Sequence, residues 1–354
     1  MKIALLGDTH FGARNDNIHF HTFFEKFYSQ VFFPYLREHD ITDVVQMGDV
    51  FDRRKYINFQ SLKLCRDYFF EPMVQDGITC HVIVGNHDTY FKNTNEVNSL
   101  DLLLKEYGNV GVYEEPTEVE FEDCTFLMVP WICQENETRC LNAIQTTIAD
   151  IIIGHFEISG FEMYRGAVCD EGLDIKTFKE QVPVYSGHFH HKSSHGNIHY
   201  LGTPYEITWS DFNDPKGFHV FDTDTKELTF VANPFIMFHK VHYDDAEKSM
   251  DDVLDSIDFS SYRGTIVKVI VRNKTNPHWF DMFVDKLEQA GVIDMQVVDD
   301  HFHLDLEADD DIVNEAEDTL TILNKYVDQM QIQGDRQRLD NLIRNLYHEA
   351  LNLE

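Results

Sequence analysis

The sequence predicts an α/β sandwich, and three observations carry the prediction. In the first half, short apolar runs alternate with helix-like segments. Those runs are almost continuously apolar, as strands covered on both faces must be. Two further stretches, residues 118–129 and 216–231, read as antiparallel pairs, the second turning at Asp222-Thr223-Asp224.

In chain order, residues 3–6 form the first strand candidate and 20–37 the first helix. Residues 44–47 and 59–70 give the next strand and helix, and 78–84 and 99–107 a third pair. Residues 151–153 and 182–185 are later strands. After Asn233-Pro234 the character changes to a small α+β unit, with strands at 266–271, 295–298 and 301–306 and a helix at 278–290. The tail repeats apolar residues at spacings of three and four: Val313, Ala316, Leu320, Leu323, Val327 and Met330, then Leu339, Ile343, Leu346, Ala350 and Leu353. Such a narrow seam suits docking onto another helix, or packing on the chain's own domain. The expected domains are residues 1–235, 236–307 and 308–354.

Composition excludes some classes. No run approaches the roughly 20 apolar residues of a membrane-spanning helix, and Met1–Leu6 is too short for a signal-peptide core. The six cysteines show no CxxC spacing and read as reduced thiols of a cytoplasmic protein. A net charge of −33 argues against an autonomous, tight DNA binder. Part of that acid falls late, at Asp299-Asp300 and Asp309-Asp310-Asp311, and cations bound by local carboxylates reverse the field around them. A partner could supply part of the grip.

The chemistry lies where the strands end. The first closes on Asp8-Thr9-His10, the second on Gly48-Asp49, the third on Gly85-Asn86-His87-Asp88. Two later strands close on Gly154-His155 and on Gly187-His188-Phe189-His190. Loops beyond the carboxyl ends of strands in an open α/β sheet share one crevice, so these ligands should meet. Each motif alone says little; the ordered set points to metal. A mixture of carboxylate, imidazole and amide suits manganese, iron or zinc better than an all-oxygen magnesium or calcium site. With no cysteine in these segments, a structural zinc site is disfavoured. Two cations can hold both the attacking and the leaving oxygen of an in-line displacement, with Asp49 placed to bridge them. The glycines before the ligands suit close backbone approach.

This ordered set, over about residues 1–235, resembles the calcineurin-like metallophosphoesterase superfamily. It is most similar to DNA-repair nucleases of the SbcD type, through Gly48-Asp49-Val50-Phe51-Asp52-Arg53 and Tyr200-Leu201-Gly202-Thr203-Pro204-Tyr205. Its modest length resembles the recombination endonuclease subunits of T-even-like phages. The resemblance implies a four-layer αββα sandwich with a small α+β capping domain and a helical, partner-binding tail. It implies two divalent ions, most readily Mn²⁺, one on Asp8, His10, Asp49 and His190, the other on Asp49, Asn86, His155 and His188. His87 would be the general acid for the leaving oxygen, or would stabilise transition-state charge, with Asp88 orienting it. Many relatives carry histidine where Asp52 stands, which leaves exonuclease efficiency and direction open. The resemblance also implies a homodimer through helices from Ser61 to Phe70 and from Asn95 to Tyr107, and an SbcC-type coiled-coil ABC ATPase on the tail. No Walker A pattern occurs here, so ATP dependence must come from that partner.

Arg14, Arg53, Arg54, Lys55 and His191-Lys192 should line the rim of the crevice and contact DNA phosphates, with Tyr90-Phe91-Lys92 as further candidates. The expected activity is Mn²⁺-dependent exo- and endonucleolytic cleavage of DNA in recombination and repair. A phosphatase or small-molecule phosphodiesterase on the same scaffold is the alternative, and a non-catalytic scaffold is the third reading.

Overall fold

The computed structural model describes residues 1–164 and 167–299. The tail seam and the strand expected at 301–306 lie outside the described residues.

Two six-stranded sheets stack face to face. The first has the order β14-β13-β1-β2-β3-β4, built from β1 (Lys2–Leu6), β2 (Asp43–Gln46), β3 (Thr79–Ile83), β4 (Val110–Tyr113), β13 (Gly217–Asp222) and β14 (Leu228–Ala232). The second, in the order β11-β12-β10-β7-β6-β5, uses β5 (Thr117–Phe121), β6 (Cys124–Val129), β7 (Ile151–Gly154), β10 (Val184–Ser186), β11 (Ser193–His195) and β12 (Ile198–Tyr200). A two-stranded ribbon, β8 (Glu162–Tyr164) with β9 (Ala167–Val168), stands apart from both.

Strand alternation explains the four layers. Side chains along a strand point to opposite faces, and here both faces are apolar. Ile3 and Leu5 of β1 meet Phe126 and Met128 of β6 and Ile151 and Ile153 of β7 between the sheets. Ala4 and Leu6 turn the other way, onto the outer helices that carry Phe20, Phe24, Phe27 and Phe69. Leu127, Val129 and Ile152 face the opposite outer layer, with Cys140 and Ile144 of the helix Glu137–Thr146. The near-continuous apolar runs are therefore strands sealed on two sides, which gives the αββα sandwich.

Both long outer helices loosen in mid-course. π turns at Tyr28–Phe32 and Arg66–Phe70 precede segments that begin Phe33-Pro34 and Glu71-Pro72. Proline has no N–H for the bond to the preceding turn, so the chain widens there.

Beyond the hairpin, β15 (Phe238–Asp244), β16 (Ile266–Asn273) and β17 (Asp294–Asp299) make a separate three-stranded sheet with its own core of Val241, Tyr243, Val267, Val269, Phe283 and Leu287. All three strands run parallel, and the helix Pro277–Ala290 crosses from β16 to β17. Parallel neighbours require a crossover, and the helix supplies it between β16 and β17. Glu206 ties this sheet to the sandwich by accepting the amides of Met237 and Phe238 at 2.6 and 2.9 Å.

Candidate metal centre

β1, β2 and β3 run parallel in one sheet, β7 and β10 in the other, and all five end at the same rim. Close approach of the turns depends on missing side chains. A Cβ on Gly48 would stand 2.5 Å from His155 Nδ1, and one on Gly85 only 2.2 Å from Asp49 N. Three polar residues adopt left-handed backbone there, His10, Asp49 and His188, at φ of 44°, 53° and 81°. Such conformations are costly and survive where surrounding contacts enforce them.

The structure brings the seven expected ligands together. Asp8, His10 and His190 offer ligand atoms within 4.8 Å of one another, and so do Asp49, His155 and His188. In the first group, His10 Nε2 lies 3.1 Å from His190 Nε2. Nitrogens about 2.1 Å from one cation and at right angles to each other would be about 3 Å apart, so the spacing fits a shared ion. Asp8 accepts the amide of His188 on both oxygens, at 3.1 and 3.0 Å.

One oxygen joins the groups. Asp49 Oδ2 lies 3.9 Å from His10 Nε2 and 3.3 Å from His155 Nε2, while Oδ1 accepts the His87 amide at 2.7 Å. His155 donates from Nδ1 to the Met47 carbonyl at 2.8 Å, which turns Nε2 inward. The Asn86 amide faces that atom at 2.8 Å. With its nitrogen inward it reaches Asp49 Oδ2, His188 Nδ1 and His155 Nε2 at 3.3, 2.9 and 2.8 Å, and its oxygen accepts from Arg54 at 3.2 Å. With its oxygen inward and the histidines unprotonated at the atoms facing it, every group at the centre is an acceptor, an arrangement that a cation stabilises. The donor set therefore fits two divalent ions.

The protons report the same demand. Burial disfavours the His10 imidazolium, but the carboxylates of Asp52, Asp49 and Asp8 outweigh it and hold its pKa at about 10. Burial likewise opposes charge on His155, and Asp49 with Asp8 raises it to about 9. His190, buried and beside charged His10, drops to about 3. Burial, with charged His155 alongside, pushes His188 well down. Buried Asp8 rises to about 6. The carboxylates thus favour positive charge at this centre, whether from protons on His10 and His155 or from cations.

His87 sits beside these groups, its ring edge-on to that of His10 at 5.0 Å. Its Nδ1 hydrogen-bonds the Asp52 carbonyl. A carbonyl only accepts, so Nδ1 carries the hydrogen and the neutral ring presents a bare Nε2. Asp88 does not orient it, contrary to expectation. The Asp88 carboxylate accepts four backbone amides instead, those of Asp49, Val50, Phe51 and Gly85, at 2.8 to 3.3 Å. Asp52 sets Oδ1 3.4 Å from His10 Nδ1, and its charge favours the imidazolium there.

The expected rim cations differ in fate. Arg54 is half-buried beside Asn86, with its guanidinium 5.1 Å from the centroid of Trp131. A cavity of about 450 Å³ opens there, lined by Trp131, Lys92, Glu157 and His155 among others. Arg14 and Lys55 are exposed. Arg53 is engaged with Asp16, Asn15 and Tyr56. Lys192 lies over the ring of Phe230, 3.1 Å from its centroid, and His191 is buried on Asp214 at 3.0 Å, so neither stands free at the rim as expected. Trp131 and Lys216 were not anticipated: no motif marks either, although Lys216 follows the acids Asp211 and Asp214 closely.

The sequence model of the calcineurin-like phosphoesterase family matches residues 1–192. The chain belongs to that family. It is 34% identical over 359 residues to exonuclease subunit 1 of Enterobacteria phage T4, covering 99% of each chain. It is also 26% identical over 220 residues to the SbcD component of the nuclease SbcCD of Staphylococcus epidermidis, covering 53% of this chain and 58% of that one. As a calcineurin-like phosphoesterase it is a hydrolase of phosphate esters. No described helix is long and apolar enough to cross a membrane.

Proposed function

We propose that this phosphoesterase is a DNA exonuclease and endonuclease, acting at DNA ends in recombination and repair with two divalent cations, most readily Mn²⁺. One observation carries the reading: a single carboxylate oxygen, Asp49 Oδ2, stands between His10 and His155, where two acceptor clusters meet. Asp8, His10, Asp49 and His190 would hold one ion, and Asp49, Asn86, His155 and His188 the other. Cations held by these residues would supply charge neutralisation for a phosphodiester and a lowered pKa for an attacking water.

The chain's own part is positioning and proton handling. Arg54, held over Trp131 beside the centre, would pair with a phosphate oxygen. His87 Nε2 must take a proton before it can donate one to the leaving oxygen, and a bound dianionic transition state favours that proton. The names of the phage and bacterial relatives support a nucleic-acid substrate. Residues 1–235 form the nuclease domain in this reading, 236–307 a cap and 308–354 the docking segment for an SbcC-type ABC ATPase. Helices from Ser61 to Phe70 and from Asn95 to Tyr107 would pair two copies as a homodimer. Six free, buried cysteines suit the reducing cytoplasm.

End-labelled linear DNA incubated with the full chain and Mn²⁺ should be shortened, and Asp49→Asn should stop it. Hydrolysis of p-nitrophenyl phosphate esters with no DNA cleavage, with or without the ATPase, would replace this reading with a phosphatase. A chain that takes up no metal at millimolar Mn²⁺ would replace it with a scaffold.

A further inference from the structure

Behind the first cluster lies another group of acids and imidazole. His191, Asp211 and Asp214 bring one ligand atom each within 4.8 Å of one another, so by composition they read as a third metal site. A lysine fills it. The side chain of Lys216 is 3% exposed, and its ammonium stands 2.7 Å from Asp211 Oδ1 and 2.8 Å from Asp214 Oδ2. The same ammonium donates to the carbonyl oxygen of His190 at 2.8 Å. The ammonium thus donates to one carbonyl and is neutralised by two carboxylates.

We infer that Lys216 is a built-in cation that positions His190, and that the His191, Asp211 and Asp214 group takes no metal. This rests on the reading of His190 as a ligand of the first ion. The His190 carbonyl is held from two sides, by Lys216 and by the amide of Thr203 at 3.2 Å. Fixing the carbonyl fixes the peptide plane, and with it the direction in which the imidazole leaves the backbone. The clasp is itself anchored. Asp211 Oδ2 accepts the amides of Ile207 and Thr208 at 2.9 Å, and Asp214 holds His191 at 3.0 Å. Lys216 immediately precedes β13, which pairs with β1, the strand that delivers Asp8 and His10. One ammonium therefore ties the loop carrying His190 to the frame carrying the other two members of the cluster. A metal in its place would exchange with solvent; a lysine is present in every folded chain.

Lys216→Met alone leaves two buried carboxylates uncompensated, so the informative variant is Lys216→Met with Asp211→Asn, which removes one charge of each sign. Calorimetric Mn²⁺ titration of the full chain should find two ions on the wild type. On the folded double variant one of them should bind about tenfold to a hundredfold more weakly, the usual result of losing a partner behind a ligand. The spin-coupled two-manganese signal in electron paramagnetic resonance should fade, and kcat should fall with little change in KM. Wild-type crystals soaked in Mn²⁺ should show no ion between Asp211 and Asp214, a result that does not depend on any variant folding. Two ions at wild-type affinity with an unchanged spin signal in the variant, or a third ion in the wild-type crystals, would overturn the inference while leaving the nuclease reading intact. A wild-type chain that binds no manganese would remove both.

Discussion

Asp88 reaches across from the β3 loop and accepts the backbone amide of Asp49 at 2.8 Å. The left-handed backbone of Asp49, the residue between the two clusters, is thus held from one side by Asp88 and from the other by the amides of Thr9 and His10, which its carbonyl accepts at 3.1 and 3.0 Å. The same carboxylate takes the amides of Val50, Phe51 and Gly85. Asp88→Asn keeps one acceptor oxygen and turns an amide toward buried N–H groups. Leaving buried donors unpaired should cost about 3 kcal/mol in stability. Urea unfolding of the metal-free chain measures it. A loss well under 1 kcal/mol would mean that these amides do not need the carboxylate.

His87 gives a separable result. Its ring contacts the Asp52 carbonyl, and its own backbone amide reaches Asp49 Oδ1, a bond that survives side-chain removal. His87→Ala should therefore keep both ions while kcat falls about 10²- to 10⁴-fold, the range of a lost general acid. Burial lowers the pKa of this imidazole, so its protonated form is scarce and the wild-type rate should fall as pH rises through that value. The variant should lose that limb. An unchanged limb in His87→Ala would assign the proton donor elsewhere, and Asp88→Asn should leave the limb in place.

The dimer proposal concerns the outer helices. Arg66 donates to the Leu103 carbonyl at 3.0 Å and Tyr107 to Glu71 at 2.8 Å, so the two helical segments pack side by side. Phe59 and Leu102 are 89% and 66% exposed, apolar groups that a second copy would cover. Phe59→Glu with Leu102→Glu should convert a dimer to a monomer by light scattering, with the melting temperature nearly unchanged. A wild-type monomer at micromolar concentration would end the proposal.

What the sequence made legible followed from periodicity and strand ends. Strands such as Ile151–Gly154 are apolar on both faces because two sheets cover them, and that pattern is visible without coordinates. The ligands were legible for the same reason: each follows a buried strand, and strand ends converge. The supporting partners were not. Asp88 is next to His87 in sequence, and adjacency suggested a side-chain contact, but a tight turn sends the two side chains apart. Lys192 looked like a phosphate contact by its position after His190, and only the packing of Phe230 from β14 shows its ammonium engaged. Lys216 lies 26 residues from His190, a distance across which spacing carries no information.

Metal loading should reverse the pH dependence of stability. In the metal-free chain His10 and His155 keep their protons up to about pH 10 and 9, against the ordinary value of 6.5. Between pH 6.5 and 9 the folded state then holds protons that the unfolded chain has released. Stability from these two groups is complete below 6.5 and drains away as pH climbs through the folded values. A bound cation takes the place of those protons, so binding at pH 7.5 should release about two of them per chain, and affinity should grow with pH. Calorimetry in two buffers of different ionisation heat counts the protons. Melting curves from pH 7 to 9 should fall for the metal-free chain, and the rise in melting temperature on adding Mn²⁺ should widen over the same interval. Proton release near zero would show that the carboxylates do not hold these histidines charged, and that the centre is set up for its ions by geometry alone.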